Sequence, residues 1–143
     1  MAETAVAAMT TSEWELMRII WTEGEASSAE VIALMQEKRD WSQSTIKTLL
    51  GRLVKKEMLQ TEKKGRHFIY HPTVPETEAM NQTVSELFTH LCSMKKGAVI
   101  TNLLTNVALT KTDIAQMQQV LTDKLETAPE TIACDCVPGE KHC

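Results

Sequence analysis

The last ten residues, CDCVPGEKHC, concentrate the side chains of this sequence that bind soft metal ions. Three of the four cysteines, Cys134, Cys136 and Cys143, lie there together with His142. Free cysteine packs like a small hydrophobic residue, but packing does not explain a cluster at one end of a chain. In a reducing cytosol clustered cysteines stay thiols, which favours a metal site over a structural disulfide. The alternatives are a disulfide-forming redox switch and an end without function.

The residue types in this tail also predict which metals it binds. Thiolates are soft ligands that suit Cu(I) and Zn(II), and the C-x-C spacing places two sulfurs close enough to share one ion. Zinc prefers four ligands in a tetrahedron. We therefore expect a soft metal ion as cofactor, with Cys134, Cys136 and Cys143 as ligands and His142 as a weaker candidate.

A second group of chemically active residues is the basic segment from Lys38 to Arg66, which contains nine basic and three acidic residues. The whole chain has a net charge of −4. A localised positive patch in an acidic chain predicts a phosphate-bearing partner, and DNA is the usual one. The alternative is a lysine-rich face that only contacts solvent.

Three helices are predicted before and within the basic segment. Capping boxes of the Ser-x-x-Glu type at Ser12 and Ser27 predict helices over roughly 13–23, ending at Gly24, and 28–38. The third helix is predicted from near Ser42 to Glu57, with one apolar stripe formed by Ile46, Leu49, Leu50 and Leu53. The candidate DNA contacts lie away from this stripe, with Thr45 on its flank near the amino end, and they are Ser44, Thr45, Lys47, Thr48, Arg52 and Lys55.

Two short β-like runs, Leu59–Lys63 and His67–His71, flank a tight turn at Gly65. Within HFIYH the histidines are expected at the surface, and Phe68 and Tyr70 in the core. Three helices followed by a hairpin predict a winged helix-turn-helix, whose third helix enters the major groove of DNA. The basic residues of the wing tip are then expected to contact the phosphate backbone, and they are Lys63, Lys64 and Arg66.

The chain after Pro75 is predicted to be helical, with three apolar stripes. The stripes are Met80, Val84, Leu87, Phe88 and Leu91, then Val99, Ile100, Leu103, Leu104 and Val107, then Ile114, Met117, Leu121 and Leu125. In a single chain, such short helices would leave much of their apolar surface exposed to water, so we expect a homodimer. The alternative is that this half of the chain forms a second helical bundle in a monomer. Two subunits present two half-sites, which predicts an inverted-repeat operator in double-stranded DNA.

The predicted fold class is therefore mainly α, in three parts. They are a winged-helix DNA-binding domain at 1–74, a helical dimerisation region at 75–128 and a Cys-rich tail at 129–143. Cys92, near the end of the first dimerisation helix, is expected to be a core residue. We expect no enzyme, because the sequence lacks a glycine-rich phosphate loop, a nucleophile elbow and H-E-x-x-H. The absence of a long apolar run or basic leader predicts a cytoplasmic protein without a membrane partner.

Three stretches, SEWELMRIIW, WSQSTIKTLLGRLVKKEML and KKGRHFIYHP, resemble the winged-helix half of the BlaI/MecI penicillinase repressors. The tail is similar to the C-x-C-x4-C-x-C motif of the CopY-type copper-responsive repressors in that family. This resemblance implies a homodimer that holds an inverted-repeat operator upstream of copper-export genes in a zinc-bound form. It also implies release when Cu(I) displaces zinc, with a copper chaperone as a further partner.

The tail departs from that motif at one position, because Lys141 stands where the third cysteine is expected. A protonated lysine does not bind either metal. The site is then completed by His142, completed by the partner chain, or impaired. Two other function classes remain open: a BlaI/MecI-type repressor inactivated by proteolysis in its helical half, and a cytosolic metal-buffering protein.

Overall fold

The computed structural model describes residues 6–139. Within them it contains nine elements, in the order α1 Thr11–Glu23, β1 Ala26–Ser27, α2 Ser28–Lys38, α3 Gln43–Lys55, β2 Leu59–Lys64, β3 His67–Pro72, α4 Glu76–Thr89, α5 Lys96–Asn106 and α6 Lys111–Leu125. The strands form one antiparallel sheet in the order β1-β3-β2. Three helices and a hairpin followed by a helical region confirm the predicted fold class. None of the described helices has the length and apolar character needed to cross a membrane.

The chain divides into two compact units between Ser85 and Glu86. The first unit contains α1 to α3 and the sheet, and the second contains α5, α6 and the described part of the tail. This division falls within α4. The predicted functional boundaries after residues 74 and 128 describe a different partition, and they stay a prediction.

Thr10 caps the start of α1. Its hydroxyl accepts a hydrogen bond from the Glu13 amide at 3.2 Å, and its own amide donates to Glu13 Oε1 at 3.1 Å. The predicted box at Ser12 and Glu15 is therefore wrong by two residues. Both pairs have the Ser/Thr-x-x-Glu spacing, but Glu15 is engaged elsewhere, in an ion pair with Arg39. The capping box at Ser27, the start of α2 and the end of α1 at Gly24 are confirmed.

α3 begins after the cap residue Ser42 and buries the predicted apolar stripe of Ile46, Leu49, Leu50 and Leu53. Its carboxyl end closes with two hydrogen bonds, from Glu57 N to Val54 O at 3.0 Å and from Met58 N to Leu53 O at 2.9 Å. Glu57 takes the left-handed conformation at φ 62°, a position that usually holds glycine. This tight closure turns the chain directly into β2.

The predicted wing is confirmed as the β2–β3 hairpin. Lys64 pairs with His67, so only two residues, Gly65 and Arg66, form the loop. Gly65 has φ 63°, which a residue with a side chain adopts only at a cost. β1, which pairs with β3, was not predicted, because a strand of two residues has no detectable period.

The expectation for the aromatic residues of β3 was half wrong. Tyr70 is partly buried and packs against the core, but Phe68 is 50% exposed. Phe68 pairs with Lys63 near the tip of the wing, where the helices no longer cover the hairpin. His71 lies between two carboxylates, with Nδ1 3.2 Å from Glu25 and Nε2 2.9 Å from Glu62.

One charged side chain, Glu13, is buried in the core of the first unit, with 1% of its surface exposed. The ammonium of Lys56 donates to its Oε1 at 2.8 Å and to the carbonyl of Ala8 at 3.0 Å. Burial raises the pKa of Glu13, but the hydrogen bonds from Lys56 and Thr10 outweigh it and hold the pKa below its ordinary value. The buried carboxylate therefore stays ionised and joins the start of α1 to the end of α3.

We expect Lys56→Met to destabilise the protein by about 2–3 kcal/mol, because it leaves the Glu13 carboxylate buried without its cation while Lys56 itself is partly exposed. Glu13→Gln keeps the volume and the helix cap, and should cost about 1 kcal/mol. Urea unfolding at neutral pH measures both changes. Lys55→Met, one residue away and exposed, is the matched control and should stay within about 0.5 kcal/mol of the parent. Equal costs for Lys55→Met and Lys56→Met would contradict this assignment.

The same pair gives a pH dependence. Since the folded-state pKa of Glu13 is below the ordinary 4.5, its contribution is fully present above that pH and is lost as the pH falls through the lowered value. The stability difference between the parent and Glu13→Gln should shrink over this acidic range.

Candidate nucleic-acid interface and metal centre

The candidate DNA contacts on α3 share one exposed face. All six are exposed and lie away from the buried stripe, with Thr45 on its flank, and they are Ser44, Thr45, Lys47, Thr48, Arg52 and Lys55. Among residues 6–139, no ion pair involves Lys47, Arg52 or Lys55. The helix therefore presents cations and hydroxyls together on a surface that its own apolar side holds against the core.

The hydroxyl groups at the start of α3 are already ordered. Ser42 Oγ accepts from the Thr45 amide at 3.2 Å and lies 2.9 Å from Thr45 Oγ1 and 3.2 Å from Ser44 Oγ. Thr48 Oγ1 donates to the Ser44 carbonyl at 2.9 Å. A hydroxyl oxygen that donates one bond still has lone pairs to accept another. These hydroxyl oxygens can therefore accept a hydrogen bond from a DNA base while they keep their bonds within the protein.

The wing carries the second set of candidate contacts. Lys63, Lys64 and Arg66 are exposed at the end of the hairpin, and none of them joins an ion pair with another described residue. Six ladder pairs between β2 and β3 hold the backbone beneath them. This pairing fixes the positions on the backbone from which the three cationic side chains extend.

Two of the nine basic residues in the segment are used inside the protein. Arg39 binds the Glu15 carboxylate through Nε at 3.0 Å and also through Nη2, and Lys56 binds Glu13. The hydrogen bond from Arg39 lowers the pKa of Glu15. Both acids lie outside the basic segment, so the sequence count overstated the positive charge that faces solvent. The charges that remain include every predicted contact.

The metal candidates form a cluster that the sequence predicted only in part. The sulfurs of Cys92, Cys134 and Cys136 all lie within 4.8 Å of one another, with the Cys92 and Cys134 sulfurs 4.0 Å apart. Cys143, His142 and the departure at Lys141 lie outside the described residues. The expectation that Cys92 is a core residue is wrong, because it is only partly buried and its sulfur lies beside the tail.

A polar anchor holds the tail next to the turn between α4 and α5. The carboxylate of Asp135 accepts from the Ser93 amide at 2.9 Å and from the Ser93 hydroxyl at 2.5 Å. These bonds lower the pKa of Asp135. Ser93 follows Cys92, and Asp135 stands between Cys134 and Cys136. Pairing Ser93 with Asp135 therefore brings the neighbouring cysteines together, across 42 residues of sequence.

The pKa values of the Cys92 and Cys136 thiols are shifted in opposite directions. Burial raises the pKa of Cys92, but a hydrogen bond from Cys136 and the amides of Met94 and Lys95 bring it below its ordinary value. The same contact with Cys92 raises the pKa of Cys136. Negative charge is thus favoured on Cys92, where backbone amides stabilise it.

The donor set and its spacing fit a soft cation. Zinc–sulfur bonds of about 2.3 Å in a tetrahedron place neighbouring sulfurs roughly 3.8 Å apart, close to the separation of Cys92 and Cys134. Cys134 is disulfide-bonded in this structure. With that bond reduced, three sulfurs suit Zn(II) or Cu(I) and do not suit Mg²⁺ or Ca²⁺, which take oxygen ligands. No specific metal follows from this geometry alone.

The helices after Pro75 leave many large apolar side chains uncovered. Neither α5 nor α6 has a buried residue, and the large exposed side chains of α4 to α6 are Met80, Val84, Leu87, Val99, Ile100, Leu103, Leu104, Ile114, Val120, Leu121 and Leu125. Residues of α5 and α6, among them Leu104 and Leu121, line one open apolar groove. An uncovered surface of this extent marks an interaction site.

Comparison with known proteins identifies relatives over most of the chain. Residues 9–123 match the penicillinase repressor family. The chain is 56% identical over 135 residues to an uncharacterised 16.5 kDa protein in the ptsI 3′ region of Latilactobacillus sakei, covering 94% of this chain and 92% of that one. It is 30% identical over 110 residues to the penicillinase repressor of Bacillus licheniformis, covering 77% of this chain and 86% of the relative. Among solved structures it is similar to a CopR repressor, with 50% identity over 48% of this chain and 99% of that chain and a TM-score of 0.42.

Proposed function

The chain belongs to the penicillinase repressor family of DNA-binding transcriptional repressors, and we propose that the signal it responds to is copper. In this proposal a homodimer binds an inverted-repeat operator of copper-export genes while zinc occupies the cysteine-rich tail. Cu(I) then replaces zinc and lowers the affinity for the operator. The observation that carries the proposal is the meeting of three cysteine sulfurs within 4.8 Å.

The DNA-binding part of the proposal is supported by the exposed face of α3 and by the wing. In this proposal Lys47 and Arg52 meet base edges or phosphates, and the adjacent hydroxyls help to select the DNA sequence. Lys63, Lys64 and Arg66 contribute phosphate contacts, whose strength falls as salt rises. The wing thus supplies affinity, and α3 supplies both affinity and specificity.

The sensing part is supported by the ligand chemistry. A bound Zn(II) or Cu(I) ion supplies positive charge and a preferred coordination geometry to the tail. Cys134 and Cys136 hold it among the described residues, and Cys143 and His142 are further predicted ligands. A copper chaperone could deliver the ion to Cys136, which is exposed.

The dimer is supported by the apolar surface of α4 to α6. A second copy covers this surface best, since two identical subunits present the same patch to each other and also provide two half-sites. A repressor of this family that is inactivated by proteolysis would also form the dimer and bind operator DNA. It would have no use for the sulfur cluster, and the experiments with copper separate the two functions.

We expect Lys47→Ala and Arg52→Ala to weaken binding of the parent's preferred duplex, selected by the protein from a randomised pool. A lost base contact costs about 1–3 kcal/mol, which is roughly 5- to 150-fold in affinity, and a lost phosphate contact flattens the salt dependence by about one unit. Fluorescence anisotropy at several salt concentrations measures both effects. Lys111→Ala removes the same charge from exposed α6 and is the control. Unchanged affinity for both α3 variants would rule out α3 as the recognition helix.

The copper response should depend on the tail cysteines. With reductant present, Cu(I) should release the parent from this duplex and Zn(II) should not. The Cys134→Ser, Cys136→Ser double variant should still bind DNA in the absence of metal but lose release by Cu(I), because α3 and the wing are unchanged. Parent protein that stays on DNA at saturating Cu(I) would contradict copper sensing, and release after proteolysis would then favour the alternative signal.

Dimerisation should depend on the apolar groove of α5 and α6. Leu121→Lys places a charge on that surface and should shift sedimentation from dimer to monomer, because an unpaired charge cannot be buried cheaply. Gln119→Lys introduces the same charge on the other side of α6 and should leave the dimer intact. A Leu121→Lys variant that remains dimeric at low micromolar concentration would place the interface elsewhere.

A further inference from the structure

Cys92 lies outside the tail in sequence, yet its sulfur belongs to the same cluster. We propose that Cys92 is a metal ligand, and that Cys92, Cys134 and Cys136 form one thiolate site for Zn(II) or Cu(I) linking the turn after α4 to the tail. The structure records Cys134 in a disulfide, so the site forms in the reduced protein, after cellular thiols have opened that bond. The inference rests on the proposed metal-sensing function and adds a ligand that the tail alone does not contain.

The first support is the position of the sulfurs. Cys92 Sγ lies 4.0 Å from Cys134 Sγ, and a tetrahedral zinc site requires roughly 3.8 Å between neighbouring sulfurs. The third sulfur, of Cys136, is within 4.8 Å of both. The Cys92 and Cys134 sulfurs need to approach by only about 0.2 Å to reach this separation, and the sulfur of Cys136 by at most about 1 Å.

The second support is the backbone around Cys92. α4 ends at Thr89, and the Lys95 amide closes a turn on the Cys92 carbonyl at 3.0 Å before α5 begins. The amides of Met94 and Lys95 approach the Cys92 sulfur. Backbone donors of this kind hold a ligating sulfur in place and balance its charge, as outer partners do at metal sites.

The third support is the separate bond that fixes the tail to this turn. The Ser93 amide and hydroxyl both donate to Asp135, and the Cys136 amide points at Cys134 Sγ at 3.5 Å. The alignment of cysteines therefore depends on polar contacts that involve no sulfur of Cys92. Because Cys136 is exposed and Cys92 and Cys134 are partly buried, an ion can enter from solvent and still lose most of its water.

The position of Cys92 also bears on the incomplete tail. The tail offers three cysteines where the motif it resembles has four, since Lys141 occupies the third position. A thiolate contributed by the turn after α4 restores the number of sulfurs from elsewhere in the chain. The ligand that is missing from the motif is thus supplied by the fold.

The test measures metal binding by the full-length protein, reduced and under anaerobic conditions, with Co(II) as a spectroscopic probe and Zn(II) in competition with a chromophoric chelator. Thiolate-to-cobalt absorption grows with the number of bound thiolates. Cys92→Ser should lose the contribution of one thiolate and weaken Zn(II) binding by more than about tenfold, since even the loss of an outer partner costs about 10- to 100-fold. In a competition assay with Cu(I), the Cys92→Ser variant should likewise bind the metal more weakly than the parent. Met94→Leu removes a sulfur from the same turn without removing a thiolate, and should match the parent.

A second measurement uses the parent alone and does not depend on the folding of a variant. Alkylation of each cysteine, followed by mass spectrometry with and without Zn(II), should show Cys92 protected together with Cys134 and Cys136. Equal alkylation of Cys92 in both conditions, or a Cys92→Ser variant that binds metal like the parent while Cys134→Ser does not, would overturn the inference and leave copper sensing by the tail standing. A parent that binds none of the three metals would overturn both.

Discussion

The buried carboxylate of Glu13 is the interaction on which the arrangement of the first unit depends. One of its oxygens caps α1 through Thr10 and also receives the ammonium of Lys56, so a single group sets the start of α1 against the end of α3. Its other oxygen, Oε2, has no hydrogen-bond partner among residues 6–139. A carboxylate held in this way tolerates little displacement, because any movement exposes a charge to an apolar core. The Glu13–Lys56 pair and the four buried apolar residues of α3 together determine which face of α3 is exposed.

The same junction decides which charges are left for a partner. Lys56 and Arg39 stand in the basic segment, but each neutralises a carboxylate of α1. Apart from Lys38 on α2, the cations of the segment that remain for solvent lie on α3 and the wing, which a buried stripe and a hairpin ladder hold in place. A count of charges along the sequence cannot separate cations that build the fold from cations that face outward. That separation needs the partners, which come from elsewhere in the chain.

The sequence was sufficient where the signal is local and periodic. The apolar stripe of α3, the cap at Ser27, the glycine turn of the wing and the helices after Pro75 all follow from spacing within a few residues. It failed at the start of α1, because Thr10 and Ser12 both fit the Ser/Thr-x-x-Glu capping pattern. It also failed for Phe68, because burial there depends on how far along the hairpin the residue lies. It also could not find Cys92 as a member of the cluster, because no local spacing connects a turn after α4 to a tail 42 residues later. The sequence did contain one signal for this contact. Cys92 is followed by a serine, and a serine can bind an aspartate that stands between two cysteines.

The placement of the cluster limits how a metal can affect DNA. The cluster belongs to the second unit and α3 to the first, so no described ligand is a predicted DNA contact. A metal that binds equally well to the DNA-competent and the released states would shift nothing, however tightly it binds. In the proposed mechanism, zinc and copper must therefore differ in how well their coordination fits the cysteines in each state. If Cu(I) lowers operator affinity by some factor, bound operator lowers Cu(I) affinity by the same factor. If Cys92 is a ligand, as proposed, a change in its coordination acts on the turn between α4 and α5 as well as on the tail.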